Sequence, residues 1–125
     1  KVIKFARAGH NALIMRNSKN AKIECLTPKG IGLGLANDSL FDQHIVEQNI
    51  NFQSGDTFLF YTDGISEAMN EQLEEFGEQR LVEIVAQLKD EDAKQLSDGI
   101  IQAIYQFVQE APQHDDITLV ALKAT

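Results

Sequence analysis

Asp63 and the pair Asp115-Asp116 are the residues whose placement suggests chemistry. Asp63 directly follows the apolar run Thr57-Phe58-Leu59-Phe60-Tyr61-Thr62, and Asp115-Asp116 directly precedes a second run, Ile117-Thr118-Leu119-Val120-Ala121-Leu122. Runs that are apolar at nearly every position and rich in β-branched or aromatic residues read as strands covered on both faces. If the two strands are antiparallel neighbours, the end of one lies beside the beginning of the other, and the carboxylates converge at one end of a sheet. Like charges so placed repel unless a cation neutralises them, and a hard divalent ion with oxygen ligands, Mg²⁺ or Mn²⁺, suits the task. Two such ions about 3.5–4 Å apart can activate water for in-line attack on phosphorus. Phosphomonoesters, whose uncatalysed hydrolysis is extremely slow, are fitting substrates. Gly64, next to Asp63, allows a sharp turn or a close backbone approach.

Each of these features also has an ordinary structural reading. An Asp-Gly at a strand end is a common turn, and Asp115-Asp116 is equally a solvated acidic flank, so spacing alone leaves the metal site open. His10 could orient a phosphate or simply belong to a turn with Gly9 and Asn11, and His114 could donate a proton beside the aspartates or be an exposed flank. Arg7 could meet phosphate, although surface solvation is its default. Gly30, Gly32 and Gly34 do not make a dinucleotide-binding loop, because the required third glycine falls at Leu35, and no lysine follows as in a P-loop.

The elements that must position these residues can be read from periodicity. Residues 2–8 and 12–16 read as strands joined by a tight hairpin at Gly9-His10-Asn11. A polar turn, Asn17-Ser18-Lys19-Asn20, leads to a third strand at 22–26, and Pro28 with three glycines marks a loop. Residues 45–52 alternate, with Val46, Gln48, Ile50 and Phe52 on one face of a half-buried strand. Ser54-Gly55-Asp56 is a turn before the central strand at 57–62. Between 78 and 110 the period becomes helical, with stripes Leu81, Ile84, Val85, Leu88 and Leu96, Ile100, Ile104, Phe107, which predicts two amphipathic helices packed on the sheet. Asp92 and Gln95 form a capping box for the second, and Gly99 inside it costs about 1 kcal/mol relative to alanine.

A chain of 125 residues, 43% hydrophobic and 24% charged, fits a single globular domain. Its 11 Lys+Arg against 19 Asp+Glu give a formal charge of -8, which argues against nucleic acid and anionic membrane as partners and against a two-metal nuclease. The one cysteine, Cys25, excludes an intrachain disulfide, predicts a buried structural thiol and suits a reducing cytoplasm. No apolar run reaches the roughly 20 residues of a membrane span, and the strand-like residues at the start carry no signal-peptide pattern, as in a chain cut from something longer.

Several segments occur in a telling order: Ala8-Gly9-His10-Asn11, then Ser54-Gly55-Asp56, then Tyr61-Thr62-Asp63-Gly64-Ile65-Ser66-Glu67-Ala68, Phe76-Gly77, and His114-Asp115-Asp116-Ile117-Thr118-Leu119. From about residue 4 to residue 123 the chain resembles the C-terminal half of a bacterial metal-dependent serine/threonine phosphatase of the protein phosphatase type 2C superfamily, in its stage II sporulation protein E (SpoIIE-like) branch. The resemblance implies an α+β fold, part of an α-β-β-α sandwich with antiparallel sheets and two C-terminal helices before a last strand. Residues 1–125 would be the C-terminal part of that single domain. It also implies a binuclear Mn²⁺ or Mg²⁺ centre between the sheets, with Asp63 and Asp115 as the catalytic ligand pair. Gly64 would shape the turn, and Asp116 matches a position that is often asparagine in the superfamily. The implied substrate is a phosphoserine or phosphothreonine protein, an anti-sigma-factor antagonist, attacked by metal-activated water without a phosphoenzyme.

One departure matters. The family's earlier Gly-Gly-Asp segment, whose aspartate bridges the metals, has no match before Ala8. The chain is then either a fragment of the domain or a degenerate, non-catalytic pseudophosphatase that binds a phosphoprotein or transmits a signal. Half a sandwich also leaves apolar surface or strand edges open, which predicts a homodimer or strand exchange.

Overall fold

The computed structural model describes residues 1–88 and 92–125. In chain order the elements are β1 (Val2–Phe5), β2 (Leu13–Arg16), β3 (Ile23–Leu26), α1 (Asp38–His44), β4 (Gln48–Asn51), β5 (Thr57–Tyr61), α2 (Asp63–Ser66), α3 (Gly77–Gln87), α4 (Ala93–Val108) and β6 (Leu119–Lys123). A four-stranded antiparallel sheet runs β3-β2-β5-β6, and β1 and β4 form a separate two-stranded antiparallel sheet. The fold is α+β, with the larger sheet sandwiched between the helices and the smaller sheet.

Each face of β5 belongs to a different core, which is why its sequence is apolar throughout. On one face Leu59 and Tyr61 join Ile14 and the buried helical residues Leu81, Val85, Leu96, Ile100 and Ile104. On the other, Phe58 joins Leu13 and Met15 against Ile3, Phe5, Ile50 and Phe52 of the β1–β4 layer. Full burial of such side chains contributes roughly 1.5–3 kcal/mol each. Both expected helical stripes therefore face the sheet, and the Asp92–Gln95 capping box is formed. Gly99 sits where a Cβ would lie 2.6 Å from Leu88 Cδ1, so the glycine in α4 admits a leucine that follows α3. Residues 89–91, between the two helices, lie outside the described residues.

Three expectations need correction. Gly9-His10-Asn11 does not close a hairpin, because β1 pairs with β4 and β2 pairs with β3 and β5. All four residues of β2 are buried, which demands a place inside the large sheet, whereas β1 alternates and keeps Val2 and Lys4 on an outer, solvated face. Gly9, at φ +78, turns the chain from one layer to the other.

Cys25 is exposed, since β3 is an edge strand. Desolvation of its sulfur, then the hydrogen bond and charge of Glu78, push its pKa up to about 11, which makes it a poor nucleophile.

The final strand begins at Leu119 and is covered on one face only: Val120 and Leu122 are 47% and 45% exposed, because the β1–β4 layer does not extend over this edge. Among the described residues no helix is long and apolar enough to cross a membrane.

Candidate metal centre

The antiparallel pairing of β5 with β6 ends at Tyr61↔Leu119, and the two chains stay together just beyond it. Thr62 donates its backbone N–H to the Thr118 carbonyl at 3.1 Å. Its hydroxyl donates to the Asp116 carbonyl at 2.9 Å and accepts from the Thr118 N–H at 3.0 Å. Thr62 then serves as N-cap residue of α2, so Asp63 is the first helical residue and Gly64 the second. A Cβ on Gly64 would lie 2.3 Å from the Asp116 carbonyl oxygen and 3.4 Å from the Asp115 carbonyl carbon, a space only glycine can occupy without moving main chain. Asp63-Gly64 and Asp115-Asp116 are thus brought together by backbone contact.

The side chains at this junction are little engaged. Asp63 Oδ1 accepts from the Gly64 N–H at 3.1 Å, and Asp115 Oδ1 accepts from the Asp116 N–H at 2.7 Å, each within its own turn. Gln113 Nε2 donates to the Asp115 carbonyl at 2.8 Å and steadies the approach to β6. Asp63, Asp115 and Asp116 are exposed, and among the described residues none of them forms an ion pair. Hard carboxylate oxygens held beside a backbone cradle suit Mg²⁺ or Mn²⁺ in donor chemistry. The set is incomplete in number: among the described residues no group of three or more His, Cys, Asp or Glu could hold a metal.

The other candidates fall out differently. Arg7 is half-buried and donates from Nε to the Pro28 carbonyl at 3.2 Å and from Nη1 to the His10 carbonyl at 2.6 Å, so its guanidinium clamps two loops rather than lying solvated. The glycine loop fits closely against this strand: a Cβ on Gly30 would come within 1.8 Å of the Arg7 carbonyl oxygen. His10 and His114 are both exposed.

Sequence reasoning missed Thr62, whose hydroxyl ties the two strand ends. Its one visible sign was a hydroxyl-bearing β-branched residue between a buried strand and an aspartate. It also missed Tyr61 as an anchor. Desolvation first, then the charge of Glu78, hold this phenol well above its ordinary pKa, and the ring is buried in the same core as Leu81 and Val85 of α3. Phe76, ahead of α3, meets Phe107 of α4 edge-on with ring centroids 5.4 Å apart, so the turn after α2 is locked to the helical layer.

The family described as stage II sporulation protein E (SpoIIE) matches residues 1–125. Protein IcfG of Synechocystis sp. is 29% identical over 121 residues, which is 96% of this chain and 18% of IcfG. The SiaA-PP2C domain of Pseudomonas aeruginosa superposes with a TM-score of 0.72 at 19% identity, covering 98% of this chain and 47% of that one. The PP2C phosphatase domain with a fragment of the regulatory domain of SpoIIE from Bacillus subtilis gives a TM-score of 0.76 at 16% identity, covering 98% of this chain and 34% of that one. The chain therefore spans under half the length of each of these relatives, and at such identities the solved structures show the fold. A family match across every residue, on the fold those structures share, shows that this chain belongs to the stage II sporulation protein E (SpoIIE) family.

Proposed function

We propose that the protein containing this chain hydrolyses phosphoserine or phosphothreonine on a protein in a bacterial cytoplasm, and that residues 1–125 are the C-terminal part of its phosphatase domain. The substrate class is an anti-sigma-factor antagonist, by family resemblance. The observation that carries the reading is the backbone contact of Gly64 with Asp116, which sets Asp63 beside Asp115. Asp63 and Asp115 present carboxylate oxygens as metal ligands. Gly64 keeps the two turns in contact, and Asp116 takes part through its carbonyl, fixed by the Thr62 hydroxyl. When bound, Mn²⁺ or Mg²⁺ supplies the positive charge that offsets these carboxylates and the activation of water for attack on phosphorus. The remaining ligands, the aspartate of the family's Gly-Gly-Asp segment among them, would have to come from outside these residues.

A second reading, a non-catalytic phosphoprotein-binding module, is favoured by one observation: no third ligand converges among the described residues. The test is Mn²⁺-dependent release of phosphate from an aryl phosphate and from a phosphoserine protein by the full-length protein, with Asp63→Asn beside it. Turnover that the substitution abolishes supports the phosphatase. Turnover indifferent to it rules out the assignment of Asp63, and phosphoprotein binding without turnover supports the second reading.

A further inference from the structure

Beside the Asp63–Asp115 junction lies a pocket of about 220 Å³ that the metal chemistry does not use. It forms because α4 ends at Val108 and Gln109, at φ +55, turns the chain back towards β6, leaving a gap between α4 and α2. Ile104 lines it as a fully buried residue, with Val108, Ala111, Pro112 and Ile117. Gly64 and Asp115 form the wall shared with the candidate centre, and Glu67 and the 62% exposed Tyr105 also border it.

The geometry points to this pocket as a specificity site that receives an apolar side chain of the phosphoprotein substrate, near in sequence to the phosphorylated residue. The inference rests on the phosphatase reading above and adds to it which substrates are preferred. Three observations select this occupant. The volume is below the roughly 300–1,000 Å³ of sites that enclose a whole small molecule, so it suits a single side chain. Glu67 and Asp115 are among its lining residues, and their negative charge disfavours anionic headgroups or nucleotides. The wall shared with Asp115 means that a chain whose phosphoryl group is held at the centre passes directly over the opening.

The test uses the full-length protein and phosphoserine peptides that differ at one position, leucine or serine, moved in turn along both flanks of the phosphoserine. Two readouts are taken: kcat/KM with Mn²⁺, and the dissociation constant from fluorescence anisotropy without added metal. Leucine at one flanking position should improve both by about tenfold or more over serine, the effect of burying one aliphatic side chain. Val108→Asp, which places a charge in the pocket, and Ala111→Leu, which fills it, should each erase that preference while leaving aryl phosphate turnover unchanged. A leucine preference absent at every position, or surviving both substitutions, overturns the proposal. Should Val108→Asp lose thermal stability, because Val108 also packs against the core, Ala111→Leu decides the same question. A leucine preference in binding that the substitutions erase, with no hydrolysis of any phosphate ester, supports the pocket and defeats the phosphatase reading alone.

Discussion

Asp56 and Asp63 flank the same strand, β5, under opposite conditions. Asp56 is 0% exposed, and its carboxylate accepts from the Ser18 N–H at 2.8 Å, the Ser18 hydroxyl at 2.9 Å and the Gln53 N–H at 2.9 Å. Burial works against its charge, yet these donors and the nearby Lys19 outweigh it and hold the carboxyl below the ordinary carboxylate range. Its backbone carbonyl accepts from Ala124 N–H at 2.8 Å, so this end of β5 is tied to both its flanking chains. At the other end, Asp63 is exposed, and its carboxylate accepts from the neighbouring Gly64 N–H. A carboxylate becomes structural when the fold surrounds it with donors. One left with most of its hydrogen-bonding capacity unspent stays available to a ligand from outside. The same residue type on the same strand serves both ends.

The largest effect separating the two ends is expected at Asp115, the partner of Asp63. In the full-length protein Asp115→Asn should lower Mn²⁺-dependent turnover about 1,000-fold, equivalent to about 4 kcal/mol, with an unchanged melting temperature. A variant that unfolds instead breaks the contrast, since both ends would then be structural.

Next comes Asp56→Ala, which leaves the Ser18 and Gln53 donors without their acceptor and should cost about 3 kcal/mol in urea denaturation. The sign with pH follows from the lowered folded-state pKa. The contribution is present in full above the ordinary value of 3.8 and is lost as pH falls through the lower folded-state value. The wild-type chain should therefore lose this increment on acidification, and the Asp56→Ala chain should not.

Smallest is Gly64→Ala, where the new methyl meets the Asp116 carbonyl and should cost about 1–3 kcal/mol while weakening Mn²⁺ binding measured by calorimetry. Stability lost without a change in Mn²⁺ affinity would place Gly64 with the structural end.

The same contrast explains what could be read from the sequence. β5, the two long helices and the Asp92–Gln95 cap were legible because each is a local pattern whose signal lies within one element. The convergence of Asp63 and Asp115 was legible because two apolar runs imply paired central strands. The hairpin at Gly9 was misread because the choice of sheet depends on partners far along the chain, Val2 with Asn51 rather than with β2. The four-residue α2 carries no periodicity, and α1 shows itself only through the Asn37 cap, whose side chain accepts from the Leu40 N–H. Asp56 read as a turn residue because its main donor, Ser18, lies 38 positions earlier.

The pairing of β5 with β6 also sets an order of events during synthesis. β5 leaves the ribosome long before its partner, and the whole of α3 and α4 intervenes. Until Leu119–Lys123 has been made and docked, one edge of β5 is an open template for foreign strands, and Asp63 stands without Asp115. The step that closes the sheet is the step that creates the acidic pair. A nascent chain stalled short of β6 therefore shows quality control an unpaired edge of β5, with Asp63 still lacking its neighbour across the sheet.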